Sequence, residues 1–408
     1  MNAANKGTRS LRRVAIAAGP LLAMVAMPGG AANQAYSDFL ANQVCGALGA
    51  SANLNTVACG GASGDSQSSL NPSQPLASSD QPLARAQEKA ESAQRQESGP
   101  DATSGSVDIG PFSLLVNGRG NWFERDADSA ERGYDGDSYS IELGLDRRLS
   151  NRAVVGGFVS YERTDINFDR EGATDFAPLS NPGGTKIDSG NLVVFGAYNV
   201  TSAAYLEAAA GYGFSDYEFR RNAVAQANGA APDDFFSVRT SGDTDGHDYW
   251  FSFGGGYDAN HGAVDYGVFA RATWARSKID GYREKDLNAS GFALLVDDAK
   301  RTSLTTTLGV RASRAISFDW GVLVPAVRVE YEHEFENDPP SVTSAFVAVP
   351  DLTFTPARDD PDQDWFNLAF GTQFILPGGL MPFFEAQARL GQRDVDRYQV
   401  VLGVRSEF

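Results

Sequence analysis

The chain has 408 residues, 52 acidic and 34 basic, for a formal net charge of −18. A chain this acidic is a poor match for nucleic acid, where affinity comes from neutralised phosphates, and no nucleic-acid partner is expected. Beyond the first thirty residues no run of about 18 apolar residues occurs, so the sequence predicts no transmembrane helix. A mean hydropathy of −0.29 still leaves membrane-spanning strands open, because only alternate strand residues meet lipid.

Residues 1–32 read as a secretory signal. Lys6, Arg9, Arg12 and Arg13 form a basic region, Val14–Met27 an apolar core interrupted by Gly19 and Pro20, and Gly30-Ala31-Ala32 a small-residue cleavage site. The apolar core is short for a membrane anchor, and no cysteine follows it closely, which argues against lipid attachment. The signal implies export through the Sec translocon.

Residues 33–79 form a short segment of different composition. Asn33–Gly60 is small and weakly apolar, and it holds both cysteines, Cys45 and Cys59. In an oxidising compartment two nearby cysteines most simply form one disulfide closing a small loop. With no histidine near them, neither a metal nor another cofactor is expected. Gly61–Ser79 is rich in Gly, Ser, Gln and Pro without periodicity and reads as a linker.

Residues 80–98 are a helix candidate. Ser79 or Asp80 caps it, Pro82 suits its first turn, and Gly99-Pro100 ends it. At 1.5 Å per residue it would be about 27 Å long, close to the thickness of a bilayer core. Its faces are polar apart from Leu83 and alanines, which suits a water-filled lumen; a partly disordered spacer fits the same residues.

From Pro111 onward twelve strand candidates follow, over 112–125, 138–149, 153–167, 188–199, 203–220, 247–258, 263–279, 300–314, 320–336, 364–376, 380–391 and 396–408. Successive strand residues point to opposite faces, and here one face is apolar and the other polar. Tyr139, Ile141, Leu143 and Leu145 oppose Ser140, Glu142 and Asp146. In the last strand Tyr398, Val400, Leu402, Val404, Ser406 and Phe408 oppose Arg397, Gln399, Val401, Gly403, Arg405 and Glu407. The connections alternate between tight turns, such as Ser150–Arg152 and Val200–Ser202, and mostly long loops at 126–137, 168–187, 221–246, 280–299 and 337–363. Gln392–Val395 is the short exception on the long-loop side.

Short turns on one side and long loops on the other are the pattern of outer-membrane β-barrels. The fold class expected is all-β, a twelve-stranded antiparallel transmembrane barrel. In lipid every backbone N–H and C=O needs an internal partner, and a closed sheet supplies it. The apolar faces then meet outer-membrane lipid. The polar positions Arg311, Arg328, Glu330, Glu385, Gln387 and Arg389 line the lumen, where a wet interior removes the desolvation cost of burying them. Trp122, Trp250, Tyr257, Trp320, Trp365 and Tyr398 fall towards strand ends, as interface girdles require, though not all need face lipid.

Residues 111–408 resemble the translocator domain of autotransporters, the type V secretion family. The stretch Arg328-Val-Glu-Tyr331-Glu-His333-Glu-Phe335 is similar to the family's Tyr-x-His-x-Phe-like stretch late in the barrel, and Pro377-Gly-Gly and Gly403-Val-Arg-x-x-Phe408 to its last hairpins. Ser406 departs from the usual apolar residue there. The resemblance implies a monomeric barrel inserted by the outer-membrane assembly machinery after escort by periplasmic chaperones. Tyr398, Val400, Leu402, Val404 and Phe408 would be its assembly signal, and residues 80–98 its lumen helix. Family passengers are long, whereas residues 33–79 are few, so the expected function is export or display of that short segment. The alternatives are a stand-alone pore plugged by its N-terminal helix, or an outer-membrane hydrolase.

Little in the sequence points to catalysis, and no enzyme is expected. Of three histidines, His333 lies on the apolar face, His261 in a tight turn, and His247 within Asp243-Thr-Asp245-Gly-His247-Asp248 at the expected outer rim. That acidic run would hold Ca²⁺ weakly at best and lacks the EF-hand pattern. Gly64-Asp65-Ser66 is similar to the nucleophile block of esterase autotransporters, but Gln67 follows it and no partner Asp-x-x-His appears. The hydrolase, phosphate-loop and zinc-protease motifs are absent.

Overall fold

The computed structural model describes Gln43 and residues 112–126, 133–169, 183–226, 235–336, 342–355, 362–393 and 395–407. The signal region, the segment 33–79 with its cysteine pair (Gln43 apart), the helix candidate 80–98 and Phe408 lie outside the described residues.

Seven long strands come first: β1 (Phe112–Arg125), β2 (Tyr134–Ser150), β3 (Ala153–Phe168), β4 (Gly183–Asn199), β5 (Ala204–Gln226), β6 (Phe235–His261) and β7 (Val264–Ile279). A long loop then carries the short β8 (Tyr282–Arg283), β9 (Lys285–Asp286) and β10 (Leu294–Val296). Next come β11 (Ala299–Arg314), its short continuation β12 (Ile316–Phe318), and β13 (Gly321–Glu334). A second long loop holds β14 (Ser344–Phe346) and β15 (Thr353–Phe354), before β16 (Asp364–Ile375), β17 (Leu380–Leu390) and β18 (Val395–Glu407).

Twelve of these strands pair antiparallel in one closed ring. Neighbours in sequence are neighbours in space, β11 pairs with β13, and β18 returns to pair with β1. Val116 stands opposite Val404 and Trp122 opposite Tyr398 in that closing ladder. Closure leaves no ring strand with an unpaired edge, which is the condition for strands to sit in lipid.

The two faces separate by polarity. Leu143, Val159, Leu192, Val194, Phe251, Val268, Leu308, Val310, Leu368 and Leu402 are exposed on the outer wall. Trp122, Tyr139, Tyr161, Tyr249 and Tyr398 ring that wall towards the long loops, and Tyr198, Tyr257, Tyr266 and Trp320 towards the tight turns. These are the two aromatic girdles of a membrane barrel. Trp250 and Trp365 are buried instead and belong to the inner face. The inner face carries mostly Ser, Thr, Asn, Glu and Arg side chains.

Aromatic rings of one strand repeatedly cover glycines of the next. The Phe269 ring lies over Gly309, and the Trp250 ring over Gly211, its partner across the ladder. A Cβ on Gly309 would stand 2.1 Å from the Phe269 ring. These glycines are therefore space for the ring rather than flexible points.

One expectation fails. Within the span 221–246, read as an outer loop, residues 221–226 and 235–246 instead extend the β5–β6 pair well past the membrane belt, with Asn222 opposite Arg239 and Glu218 opposite Asp243. Above the bilayer the outward positions meet water, so they carry Arg239, Asp243 and Asp245 and the apolar alternation stops. The backbone ladder has no need of that alternation and continues.

Candidate functional site

The site is the barrel's interior. On β13 the inward positions are alternate residues, Arg328, Glu330, Glu332 and Glu334, and on β17 they include Glu385, Gln387 and Arg389. The register through β16 brings them together. Arg328 Nη2 donates to Glu385 Oε1 and to Gln387 Oε1, both at 3.2 Å, and its Nε lies 3.3 Å from Glu330 Oε1. Arg389 approaches Glu332 at 3.8 Å, stacks over the Trp365 ring at 5.0 Å and donates to Asn367 Oδ1 at 3.3 Å. Trp365 Nε1 donates to Glu332 Oε2 at 2.5 Å. Five of the six lumen positions expected from sequence thus share one wall.

The sixth, Arg311, adjoins that wall as the cross-strand partner of Arg328 in the β11–β13 ladder. Its guanidinium forks onto Asp258, with Nε to Oδ1 at 3.2 Å and Nη2 to Oδ2 at 2.7 Å, and lies over the Tyr205 ring. Across the lumen Arg119 Nη2 stands 3.3 Å from Glu142 Oε1, with both side chains fully covered, and Asn117 donates to Glu142 Oε2 at 3.0 Å. Paired, hydrogen-bonded charges on a barrel's inner wall avoid the penalty that isolated charges would pay. Chemically the wall offers fixed charges and hydrogen-bonding groups along a path.

The terminal strand presents Tyr398, Leu402 and Val404 to the outside and Val400 half-buried beside them. The partners of this face on β1 are Trp122, Gly120, Gly118 and Val116.

Sequence reasoning missed what happens at the long-loop end. There the inward positions change from polar to apolar: Phe123, Tyr134, Ile166, Phe168, Ile187, Tyr217, Phe219, Val238 and Ile279 are all buried. They pack with Phe292, Leu294 and Val296 of the first long loop and Val342 and Phe346 of the second. The two loops form a sheet of their own, β15–β14–β10–β8. Backbone bonds from Val347 to Ala293 and from Asp297 to Thr343, each 2.9 Å, hold them together. The signal was available, because alternation persists in these strand ends while the inner face becomes apolar.

A buried ion pair fixes this loop sheet to the barrel. Arg221 Nε and Nη2 reach Glu284 Oε1 and Oε2 at 3.1 and 2.6 Å, and Nη2 also donates to the Phe292 carbonyl at 2.6 Å. Glu284 Oε2 accepts from Leu294 N at 2.9 Å. Both side chains are almost wholly covered. Removing one partner of such a buried pair typically costs about 3–5 kcal/mol, since the other charge is left uncompensated. Beside it, burial holds the Tyr282 hydroxyl well above its ordinary range, with Glu284 adding to the rise and Arg221 opposing it.

The first loop also has its own internal order. Asp286 accepts from Gly291 N at 2.6 Å, from Asn288 N at 3.3 Å and from the Ser290 hydroxyl at 3.2 Å. Burial pushes its carboxyl up, but the donated hydrogen bonds outweigh that and hold it below the usual carboxylate range.

The histidines do not assemble a reactive centre. His247 and Asp248 are adjacent in β6 and so point to opposite faces, Asp248 buried inside and His247 on the outer wall opposite Phe214 and Lys278. The run Asp243–Asp248 is strand and not a rim loop. His333 Nδ1 lies 2.8 Å from Asp364 Oδ1 on the outer wall and meets the Phe335 ring edge-on. His261 is exposed at the end of β6. Among the described residues no group of three or more His, Cys, Asp or Glu is placed to hold a metal ion.

Comparison with known proteins is consistent with this geometry. The family model described as the autotransporter beta-domain matches residues 114–387. Esterase EstA of Pseudomonas aeruginosa is 27% identical over 262 residues, 64% of this chain and 37% of that protein, so the chain spans about a third of that relative's length. The translocator domain of the autotransporter NalP from Neisseria meningitidis superposes with a TM-score of 0.60 at 13% identity, covering 83% of this chain and all of that one. The beta domain of the Bordetella autotransporter BrkA superposes at 0.51 with 17% identity, covering 73% of this chain and all of that one. At these identities the two structures speak for the fold.

Proposed function

The chain belongs to the autotransporter β-domain family, and we propose on that premise that its outer-membrane barrel exports its own N-terminal segment, residues 33–79, to the cell surface. The observation that supports this most is the closed twelve-stranded ring with a polar, charged inner wall and a lipid-facing outer one. A polar wall of fixed charges lets an extended or helical chain pass without burying its backbone groups in hydrocarbon. In this reading the Sec translocon delivers the chain to the periplasm. Periplasmic chaperones keep it unfolded there, and the barrel assembly machinery inserts it as a monomer by way of Tyr398, Val400, Leu402, Val404 and Phe408.

The barrel has no catalytic role in this proposal. Esterase activity is named for EstA, of which this chain spans about a third. Gly64-Asp65-Ser66 is taken as a linker fragment.

The test is an epitope tag inserted within Gly61–Ser69, followed by protease shaving of intact cells. Loss of the tag with the barrel intact is the expected result. A tag cut only after the outer membrane is permeabilised would place the segment on the periplasmic side and favour a plugged pore instead.

A further inference from the structure

The polar lumen does not run open to the long-loop end. The inner faces of β1 to β7 turn apolar there and close around Phe292, Leu294, Val296, Val342 and Phe346. These loop residues come from two separate connections, joined to each other through the β15–β14–β10–β8 sheet. Residues that served only as surface loops would be polar and solvated. Here their largest apolar side chains are buried inside the mouth, with Phe292 and Phe346 in edge-to-face contact and Tyr282 stacked on Phe219 at 4.7 Å.

We infer that the two loops form a latched seal across the extracellular mouth, with the Arg221–Glu284 pair as the latch. Arg221 belongs to the barrel wall and Glu284 to the loop, so this pair joins the moving part to the fixed part. Glu284 also ties Leu294 N, and Arg221 the Phe292 carbonyl, so the one pair secures both ends of the β8–β10 turn. A chain leaving through this end has to displace the seal, and the apolar contacts and the latch close it again afterwards. The seal stands whether or not residues 33–79 are exported, so its failure and the failure of the export proposal are separable.

The experiment uses the full chain with Cys45→Ser, Cys59→Ser and a reporter Ser252→Cys on the inner face of β6, where Ser252 is buried. Intact cells are treated with a membrane-impermeant maleimide. The reporter is expected to resist labelling in this background and to label about tenfold faster or more with Glu284→Ala, as a two-state closure weakened by ~1.4 kcal/mol or more would give. Arg221→Lys, which keeps the charge and loses the fork, should fall between the two. A heat-modifiable band on gels checks that each variant is folded. Equal rapid labelling without the latch mutation shows an open mouth and overturns the seal. Equal protection with both latch variants shows that Arg221 and Glu284 do not control closure and overturns the latch.

Discussion

Arg405 Nη2 donates to Ser113 Oγ at 3.0 Å, joining the last strand to the first across 292 residues of sequence. The same guanidinium reaches Asp146 Oδ1 on β2 at 3.4 Å. One side chain of the terminal strand therefore ties three consecutive staves at the seam where the ring closes.

Arg405→Ala should weaken that seam. A hydrogen bond to a charged group is worth about 1.5–3 kcal/mol, and the remaining backbone ladder between β18 and β1 is untouched. The expected outcome is a barrel that inserts but unfolds at lower temperature, read from the heat-modifiable band. Arg405→Lys should recover part of the loss. An unchanged transition in Arg405→Ala would show that the seam rests on its backbone pairing alone.

Gly309→Ala should destabilise more than its small size suggests. The new Cβ would stand 2.1 Å from the Phe269 ring, which is boxed in on the inner face. Overpacking of this kind typically costs about 1–3 kcal/mol. Pairing the change with Phe269→Leu should recover part of it, and a double-mutant cycle on urea unfolding measures the coupling. Additive effects would contradict the ring-over-glycine account.

Neighbouring residues on β11 should respond in opposite ways. Leu308 is 56% exposed on the outer wall and Thr307 is 3% exposed within. An arginine on a lipid face near mid-membrane costs about 2–4 kcal/mol. Leu308→Arg should therefore cut the amount of folded barrel in outer-membrane fractions, whereas Thr307→Ala should leave it within normal range. Equal effects at both positions would mean that the faces are misassigned.

The Asp286 turn should loosen in acid. Its carboxyl titrates below the ordinary value of about 3.9, so it adds stability that is fully present above that value. The contribution is lost as pH falls through the lower folded value, when the proton displaces the bonds from Gly291 N and Asn288 N. Amide protection at residues 286–291, corrected for the intrinsic exchange rate, should fall below about pH 4 relative to that of the β-strands. Asp286→Asn should remove most of that pH dependence. A flat profile in the unsubstituted chain would contradict the assignment.

Much of the barrel was legible because lipid on one side and water on the other write their demands into alternate residues. Tyr139, Ile141 and Leu143 against Ser140 and Glu142 are enough to place β2, and the expected span of β1 agrees with the observed one residue for residue. Where the outward face meets water in place of lipid, as at Arg239–Asp245, its apolar signal vanishes although the strand continues. The seal was not legible for a different reason. Phe292 and Leu294 lie in one short apolar run, 292–296, and Phe346 in another, 345–349, and their common burial depends on contacts between loops far apart in sequence. The Arg221–Glu284 pair is likewise a fact of tertiary position, since neither residue stands out in its own segment.

The C-terminal strand completes the ring by pairing with the first. Asn121 and Gln399 are cross-strand partners on the inner face, both buried, at the separation where a disulfide fits. In a chain with Cys45 and Cys59 replaced by serine, Asn121→Cys and Gln399→Cys should oxidise to an intramolecular cross-link in the outer membrane. The denatured, non-reduced monomer would then migrate faster than the reduced one, and neither thiol would react with maleimide. Two free thiols, or cross-linked dimers in place of a closed monomer, would contradict the ring.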